Sequence, residues 1–285
     1  MTIRCNATIA ILMATYNGAK YLGCQLDSLL AQTSQDWHLY IHDDGSTDHT
    51  HAIISKYMEK HPDRITLLDY PRQGGACRNF LSMLERVEAD YYMFCDQDDE
   101  WLPEKIELSL QEMTAREKET PGAGIVVCSD LTVVDEAMKV INPSMWEYLS
   151  IYPQYIKNFR DSGASAIVTG CTMFFNHQSK NDCRPFSPVV MMHDCWLCLC
   201  TLQQHGKLYG IPRQLVRYRQ HGSNSMGVGV SSSQINLSYR IRHFRELFEY
   251  NVRYYRMLAA LDYGSMFKYL AAKIRYRQRI KQGYY

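Results

Sequence analysis

Three carboxylates, Asp96, Asp98 and Asp99, fall directly after the apolar run at residues 91–95. Like charges this close repel each other unless a cation sits among them or one takes up a proton. Hard oxygen donors suit Mg2+ or Mn2+ better than zinc or copper. The plainer account is an acidic turn capping the next helix, with Pro103 at its first position and Glu104 in its first turn. Other polar clusters stand further off. Thr15-Tyr16-Asn17-Gly18 and His42-Asp43-Asp44-Gly45-Ser46-Thr47-Asp48 precede the triad, and His193-Asp194 and Gln220-His221-Gly222 follow it.

The elements that must position these groups alternate. Residues 8–14, 37–41, 65–68 and 91–95 read as strands. Between them lie helical patterns, with Tyr21, Leu22, Leu26, Leu29 and Leu30 on one face of the first, Thr50–Lys60 as the second and residues 79–86 as the third. This pattern predicts an α/β fold with a doubly wound, mostly parallel sheet. The first, second and fourth strands each end in polar or acidic residues. Their shared rim is where open parallel sheets place a ligand crevice, and a capping turn alone does not explain that repetition. Further on, the spacing predicts a helix over 103–119, a strand over 125–129, loop and short helix over 142–160, and a strand over 166–176. A helix over 193–205, short strands over 208–211 and 215–219, and a loop over 220–225 follow. Two Arg- and Tyr-rich helices run from about residue 235, broken near Gly264.

The chain has 285 residues, is 46% hydrophobic and carries a formal net charge of +1. That charge is unevenly spread. Residues 236–285 hold 11 Lys/Arg against 3 Asp/Glu, and the remainder 20 against 27, so an acidic body carries a basic tail. No run reaches the roughly 18 apolar residues of a membrane span. The start lacks a signal-peptide cleavage pattern, and ten cysteines without framework spacing suit a reducing cytoplasm.

Six motifs stand in the order seen in family 2 glycosyltransferases: Thr15-Tyr16-Asn17-Gly18, Asp43-Asp44-Gly45-Ser46-Thr47-Asp48, Asp96-Gln97-Asp98-Asp99, Thr169-Gly170-Cys171-Thr172, His193-Asp194 and Tyr218-Arg219-Gln220-His221-Gly222. Over roughly residues 7–225 the chain most resembles the bacterial rhamnosyltransferase-like branch. The resemblance implies a GT-A fold, with a nucleotide-sugar-binding catalytic domain at 1–234 and a basic helical extension at 235–285. It also implies inverting, non-processive transfer of one sugar, rhamnose or a hexose, from a UDP- or dTDP-linked donor. The acceptor would be a saccharide or lipid-linked saccharide in cell-surface polysaccharide synthesis. Breaking the bond to the nucleoside diphosphate leaves growing negative charge, which a divalent cation, Mn2+ or Mg2+, stabilises.

By this resemblance Asp98 is the first metal ligand, Asp96 helps it or binds the ribose, and Asp99 orients from behind. His221 resembles the C-terminal metal or phosphate contact. Thr15, Tyr16, Asn17 and Gln97 fall to the nucleotide-sugar. Asp43 and Asp44 are candidates to accept from a pyrimidine N–H or a ribose hydroxyl, Asp44 being favoured, while Ser46 or Thr47 can cap the next helix. Arg78 reaches the base or diphosphate, or sits on a solvated helix face. Asp194 fits the base that deprotonates the acceptor, and otherwise caps its helix. His193 replaces an acid of the usual pair, leaving open whether it tunes Asp194 or shares the proton transfer.

Competing readings differ in what the sequence should carry. A sugar nucleotidyltransferase would show a Gly-rich basic loop after the first strand, which Thr15 to Lys20 lacks. A non-catalytic nucleotide-sugar-binding module would not need Asp98, Asp194 and His221 together. The Cys195-Trp196-Leu197-Cys198 spacing suits buried thiols better than zinc, and Gln214-Leu215-Val216-Arg217-Tyr218 resembles the Gln-x-x-Arg-Trp of processive synthases by coincidence. In the tail, Arg240, Arg242, Arg245, Arg253 and Arg256 lie among aromatics. An anionic membrane surface, the catalytic domain or a second subunit in a homodimer could cover its apolar face, whereas the donor motifs give nucleic acid no role. The expected location is cytoplasmic, peripheral on the inner face of the cell membrane.

Overall fold

Ile9, Ile11 and Met13 point to one side of a strand and Ala10 and Leu12 to the other, all fully buried. A strand apolar on both faces needs a layer of helices on each side, which is what a central parallel strand receives. The computed structural model describes residues 3–4, 8–163, 168–183, 189–222 and 237–282.

The strands are β1 (Ile3–Arg4), β2 (Ile9–Thr15), β3 (Trp37–Asp43), β4 (Ile65–Leu67), β5 (Val87–Glu88), β6 (Tyr91–Cys95), β7 (Glu100–Trp101), β8 (Ile125–Val134), β9 (Val140–Asn142), β10 (Met173–Asn176) and β11 (Lys207–Arg219). The helices are α1 (Leu22–Leu30), α2 (Thr50–Lys60), α3 (Ala76–Arg86), α4 (Lys105–Glu119), α5 (Met145–Leu149), α6 (Phe159–Ser162), α7 (His177–Asp182), α8 (His193–Gln203), α9 (Leu237–Arg242), α10 (Phe244–Ala259) and α11 (Met266–Lys281). One sheet runs in the order β4-β3-β2-β6-β10-β8-β11-β7, with β9 on β8. β4, β3, β2 and β6 are mutually parallel, β10 is antiparallel to both neighbours, and β8 and β11 are parallel. This is the mixed, mostly parallel α/β sheet that the sequence predicts.

Helices α1, α2 and α4 cover one face through Leu22, Leu26, Leu29, Ile54, Ile106 and Met113. Helices α3, α8 and α11 cover the other through Phe80, Met83, Leu84, Leu197, Leu202 and Tyr276. Cys195, Cys198 and Cys200 are buried in α8, and burial raises the Cys195 and Cys198 thiols well above their ordinary range. Gln214 donates to the buried Asp130 carboxylate at 2.9 Å, a structural use of the residue that resembled a processive-synthase motif.

The second half departs from expectation in three places. The strand expected over 166–176 is shorter: residues 166 and 167 lie outside the described residues, Gly170–Thr172 form a 3-10 turn, and β10 begins at Met173. The Thr172 hydroxyl and backbone N–H both bond to Thr169 O, at 2.7 and 2.9 Å, and this local pairing competes with the sheet ladder. The two short strands over 208–219 are one, β11, whose register shifts on either side of Gln214 absorb Pro212. Among the described residues the tail has three helices, because the chain breaks at His243 between α9 and α10 as well as near Gly264.

The tail is not a loose appendage. Tyr254, Met257, Leu258, Leu261 and Tyr269 form one buried cluster with Cys195, Trp196, Leu199 and Cys200 of α8. The Tyr254 hydroxyl donates to Ser162 O at 3.1 Å and Arg279 pairs with Asp161 at 3.4 Å, tying α10 and α11 to α6. The expected domain boundary at 234/235 and the loop at 223–225 lie outside the described residues.

Candidate active site

The C-terminal ends of β2, β3 and β6 open onto a cleft of about 410 Å³, lined among others by Thr15, Tyr16, Asp44, Asp96, Gln97, Asp98, His193 and Asp194. These groups come from residues 15 to 194 and meet because parallel strands present their ends on one rim.

Two loops are locked together at its mouth. The Tyr16 backbone N–H donates to Gln97 Oε1 and the Gln97 amide donates to Tyr16 O, each at 2.9 Å. This approach requires a glycine at position 18, since a Cβ there would lie 2.0 Å from Gln97 Oε1. Tyr16 is 47% exposed, with the Arg72 guanidinium 5.3 Å from its ring centre, which leaves a flat aromatic surface at the entrance.

Asn17 and Asp43 are engaged in the turns. The Asn17 N–H donates to Ser46 Oγ at 2.7 Å and its side-chain oxygen accepts from Thr47 N at 2.8 Å. Asp43 accepts from Thr15 Oγ1, from the Ser46 hydroxyl and from the N–H groups of Gly45 and Ser46, with His51 Nε2 at 3.0 Å. These bonds hold its carboxyl below its ordinary range although burial acts the other way. Asp44 faces the cleft, but its carboxylate also holds the loop that starts α3. It accepts from Gln73 N at 2.6 Å, Gly74 N at 3.0 Å and Gly75 N at 2.7 Å. Gly74 and Gly75, at φ +76° and +126°, allow the three N–H groups to converge. Arg78 is exposed on α3, and Arg72 is the arginine that lines the cleft among the described residues. Behind the wall, buried His42 bonds Asn79 Oδ1 at 2.8 Å and stacks on Tyr70 with centroids 3.7 Å apart.

The acidic turn after β6 divides into two groups. Asp98 Oδ2 contacts His221 Nε2 at 2.8 Å, and the His221 ring stacks on Tyr21 with centroids 4.6 Å apart. Arg219 fixes the same turn: its Nε donates to Asp98 O at 2.8 Å and its backbone N–H to Asp99 Oδ1 at 3.1 Å. Asp96 instead converges with Asp99 and Cys171, their donor atoms all lying within 4.8 Å of one another. Burial, then Asp98, then Asp194 push the Asp96 carboxyl up to about 8, and burial, then Asp98, then Asp96 raise Asp99 well above the carboxylate range. Asp99 Oδ2 is buried without a hydrogen-bond partner. Crowded carboxylates with an orphaned oxygen suit a divalent cation with hard oxygen donors, and this group shares Asp96 with the set expected from the sequence, Asp98, Asp96 and His221. Lys105 is also fully buried, its Nζ 3.6 Å from the Trp101 ring centre and without a hydrogen-bond partner; burial lowers its pKa to about 7.

Across the cleft, α8 begins with His193-Asp194. Asp194 Oδ2 accepts from Gly170 N at 2.9 Å and Oδ1 from Cys195 N at 2.6 Å. Burial nevertheless raises its carboxyl to about 6. His193 stacks on Phe80 at 4.1 Å and meets Phe94 edge-on at 4.6 Å, and neither ring nitrogen has a hydrogen-bond partner. Burial lowers its pKa to about 3, so the imidazole is neutral. A Cβ on Gly170 would come within 2.9 Å of His193 Nε2, so that glycine permits the close approach.

The sequence reading did not single out Arg72, Asn79 or Lys105 for the site. Lys105 carries no signal in the sequence, because Trp101 ends β7 and Lys105 opens α4, so their contact is made by the fold, and a lysine after Pro-Glu reads as solvated.

The glycosyl transferase family 2 model matches residues 10–182. The dTDP-rhamnosyl transferase RfbG of Shigella flexneri is 27% identical over 77% of this chain and 75% of its own length. Over a shorter stretch, 37% of this chain and 40% of the relative, identity is 31% to the UDP-Glc:alpha-D-GlcNAc-diphosphoundecaprenol beta-1,3-glucosyltransferase WfgD of Escherichia coli. The mannosyltransferase PcManGT of Pyrobaculum calidifontis, solved with GDP-Man and Mn2+, superposes with a TM-score of 0.61 over 97% of this chain and 70% of that one, at 15% identity. The sheet and its helices thus have the GT-A fold. With more than half of the residues matched by the model, the chain belongs to glycosyl transferase family 2.

Proposed function

We propose that the chain carries out a metal-dependent, inverting and non-processive transfer of one sugar from a dTDP- or UDP-linked donor to a saccharide or lipid-linked saccharide on the cytoplasmic side. The observation that carries this reading is the facing of Asp194 and the Asp96–Asp98 turn across one cleft, with Tyr16 at its mouth. The similarity to a dTDP-rhamnosyl transferase supports a deoxyhexose or hexose donor, and that to an enzyme named for a diphosphoundecaprenol substrate supports a lipid-linked acceptor in cell-surface polysaccharide synthesis.

In this reading the base stacks on Tyr16 beside Arg72, and the diphosphate lies toward the acidic turn. Asp98, with Asp96 and His221, would hold Mn2+ or Mg2+, which when bound offsets the charge developing on the leaving diphosphate. An imidazole nitrogen makes His221 a better ligand for Mn2+ than for Mg2+. Asp194 accepts the proton of the acceptor hydroxyl while that oxygen bonds to the anomeric carbon and the bond to the diphosphate breaks on the opposite face. A carboxyl near 6 suits a base that must be ionised at neutral pH yet basic enough to draw the proton. His193, neutral and packed between two Phe rings, positions Asp194 and does not share the proton.

Hydrolysis or transfer assayed with a panel of nucleotide sugars in Mn2+ or Mg2+ tests the reading. Release of dTDP or UDP, with product of inverted anomeric configuration, is expected. Nucleotide-triphosphate-dependent release of pyrophosphate would assign the site to a nucleotidyltransferase instead.

A further inference from the structure

Helix α11 is apolar on two sides. Tyr269, Ala272 and Tyr276 face the body, while Phe267, Leu270 and Ile274 recur at helical spacing on the opposite side. Phe267 is 83% exposed and Ile274 59%. The neighbouring α10 repeats this arrangement: Tyr254, Met257 and Leu258 are buried, whereas Phe244 and Phe248 are stacked on each other in solvent, next to exposed Ile241 of α9. The two helices touch through Tyr254 and Tyr269, and Lys273 Nζ donates to Asn251 at 2.7 Å. Arg277 adjoins the α11 stripe, Lys268 and Arg275 are exposed on the same helix, and Arg245 and Arg256 on α10.

We infer that these outward faces of α10 and α11 form a docking surface for an anionic lipid bilayer. Large apolar residues in water, bordered by cations, are what an interfacial helix presents to acyl chains and headgroup charges. No helix among the described residues is long and apolar enough to cross a membrane. A second copy is a poor occupant, because pairing through this face would oppose two segments with 11 basic against 3 acidic residues each. Nucleic acid would leave the Phe, Leu and Ile side chains without partners. The biological purpose, meeting a lipid-linked acceptor, rests on the proposed function, but the binding itself does not.

Flotation of the full chain with phosphatidylglycerol-containing and pure phosphatidylcholine vesicles tests this. The wild type should float with the anionic vesicles and be released by salt. Phe267→Ser/Leu270→Ser/Ile274→Ser should lower partitioning by about tenfold or more, and Lys268→Gln/Arg277→Gln by roughly 10- to 30-fold. All these side chains are exposed, so dTDP or UDP binding should remain in both variants. Equal flotation on neutral vesicles, equal binding by both variants, or no binding by the wild type would overturn the inference. So would a dimer that the triple serine variant dissociates in sedimentation while vesicles stay unbound. Flotation retained in a protein that releases no nucleotide from any sugar donor would support the surface and count against sugar transfer alone.

Discussion

His221 Nε2 lies 2.8 Å from Asp98 Oδ2, joining residues 123 apart in sequence. The end of β11 thereby closes over the acidic turn that follows β6, and Arg219 reinforces the contact by donating to Asp98 O. Both side chains of the pair would be drawn upon by a cation, so they should fail together. Asp98→Ala is expected to reduce turnover by at least ~10²–10³ with little loss of stability, since it relieves repulsion among the acids. His221→Ala should weaken Mn2+ dependence more than it alters the fold. Full activity in excess EDTA would remove the metal from the reaction.

Asp194 is raised to about 6 by burial. A raised carboxyl stays protonated, and so cannot act as base, at pH below that value. The rate should therefore climb with pH through about 6 and level off above it. Asp194→Asn keeps the hydrogen bond from Gly170 N but removes the basicity, so kcat should fall by roughly 10²–10⁴ while donor affinity barely moves. A variant with weakened nucleotide binding and a spared rate would make Asp194 a structural cap.

Asp44 anchors three N–H groups of the loop ahead of α3. Asp44→Ala leaves those donors without their acceptor, which should cost about 1–3 kcal/mol. Loosening a cleft wall acts on binding before chemistry, so KM for the donor should rise more than kcat falls. Equal loss of kcat with KM unchanged would place Asp44 nearer to the reacting atoms.

How far the sequence was legible follows from what each signal measures. The central strands were readable because an element buried on both faces, such as Ile9–Thr15, has little freedom in composition. The rim was readable because parallel strands must end together, which placed Tyr16, Asp44 and Asp98 in one cleft. Spacing cannot say where a polar side chain spends its hydrogen bonds, so Asn17 and Asp43 read as ligand contacts although the turns engage them. Nor can it separate Arg72 from Arg78, six residues apart on one loop and helix. Lys105 was invisible for a related reason: a lysine is ordinarily solvated, and only the tertiary fold reveals one enclosed behind Asp99 and Cys171. The apolar tail faces were ambiguous because periodicity marks a stripe without naming what covers it, and α11 turned out to carry one covered stripe and one bare.

The covered stripe makes the tail part of the body. Met257, Leu258 and Leu261 are fully buried against Trp196, Leu199 and Cys200 on α8, the helix whose first turn carries Asp194. Truncating a fully buried Leu removes its transfer free energy and leaves a cavity, so Leu258→Ala should cost about 2–5 kcal/mol. Because the lost contacts support α8, the whole unfolding transition should shift, and nucleotide release should fall in step with it. Deleting the chain beyond residue 234 would uncover the same face of α8 and should yield a poorly soluble protein. Urea unfolding followed by circular dichroism and by tryptophan fluorescence checks this, Trp196 lying at the interface. Coincident transitions are expected; an early transition of helical signal alone, with fluorescence and activity kept, would show that the tail unfolds by itself.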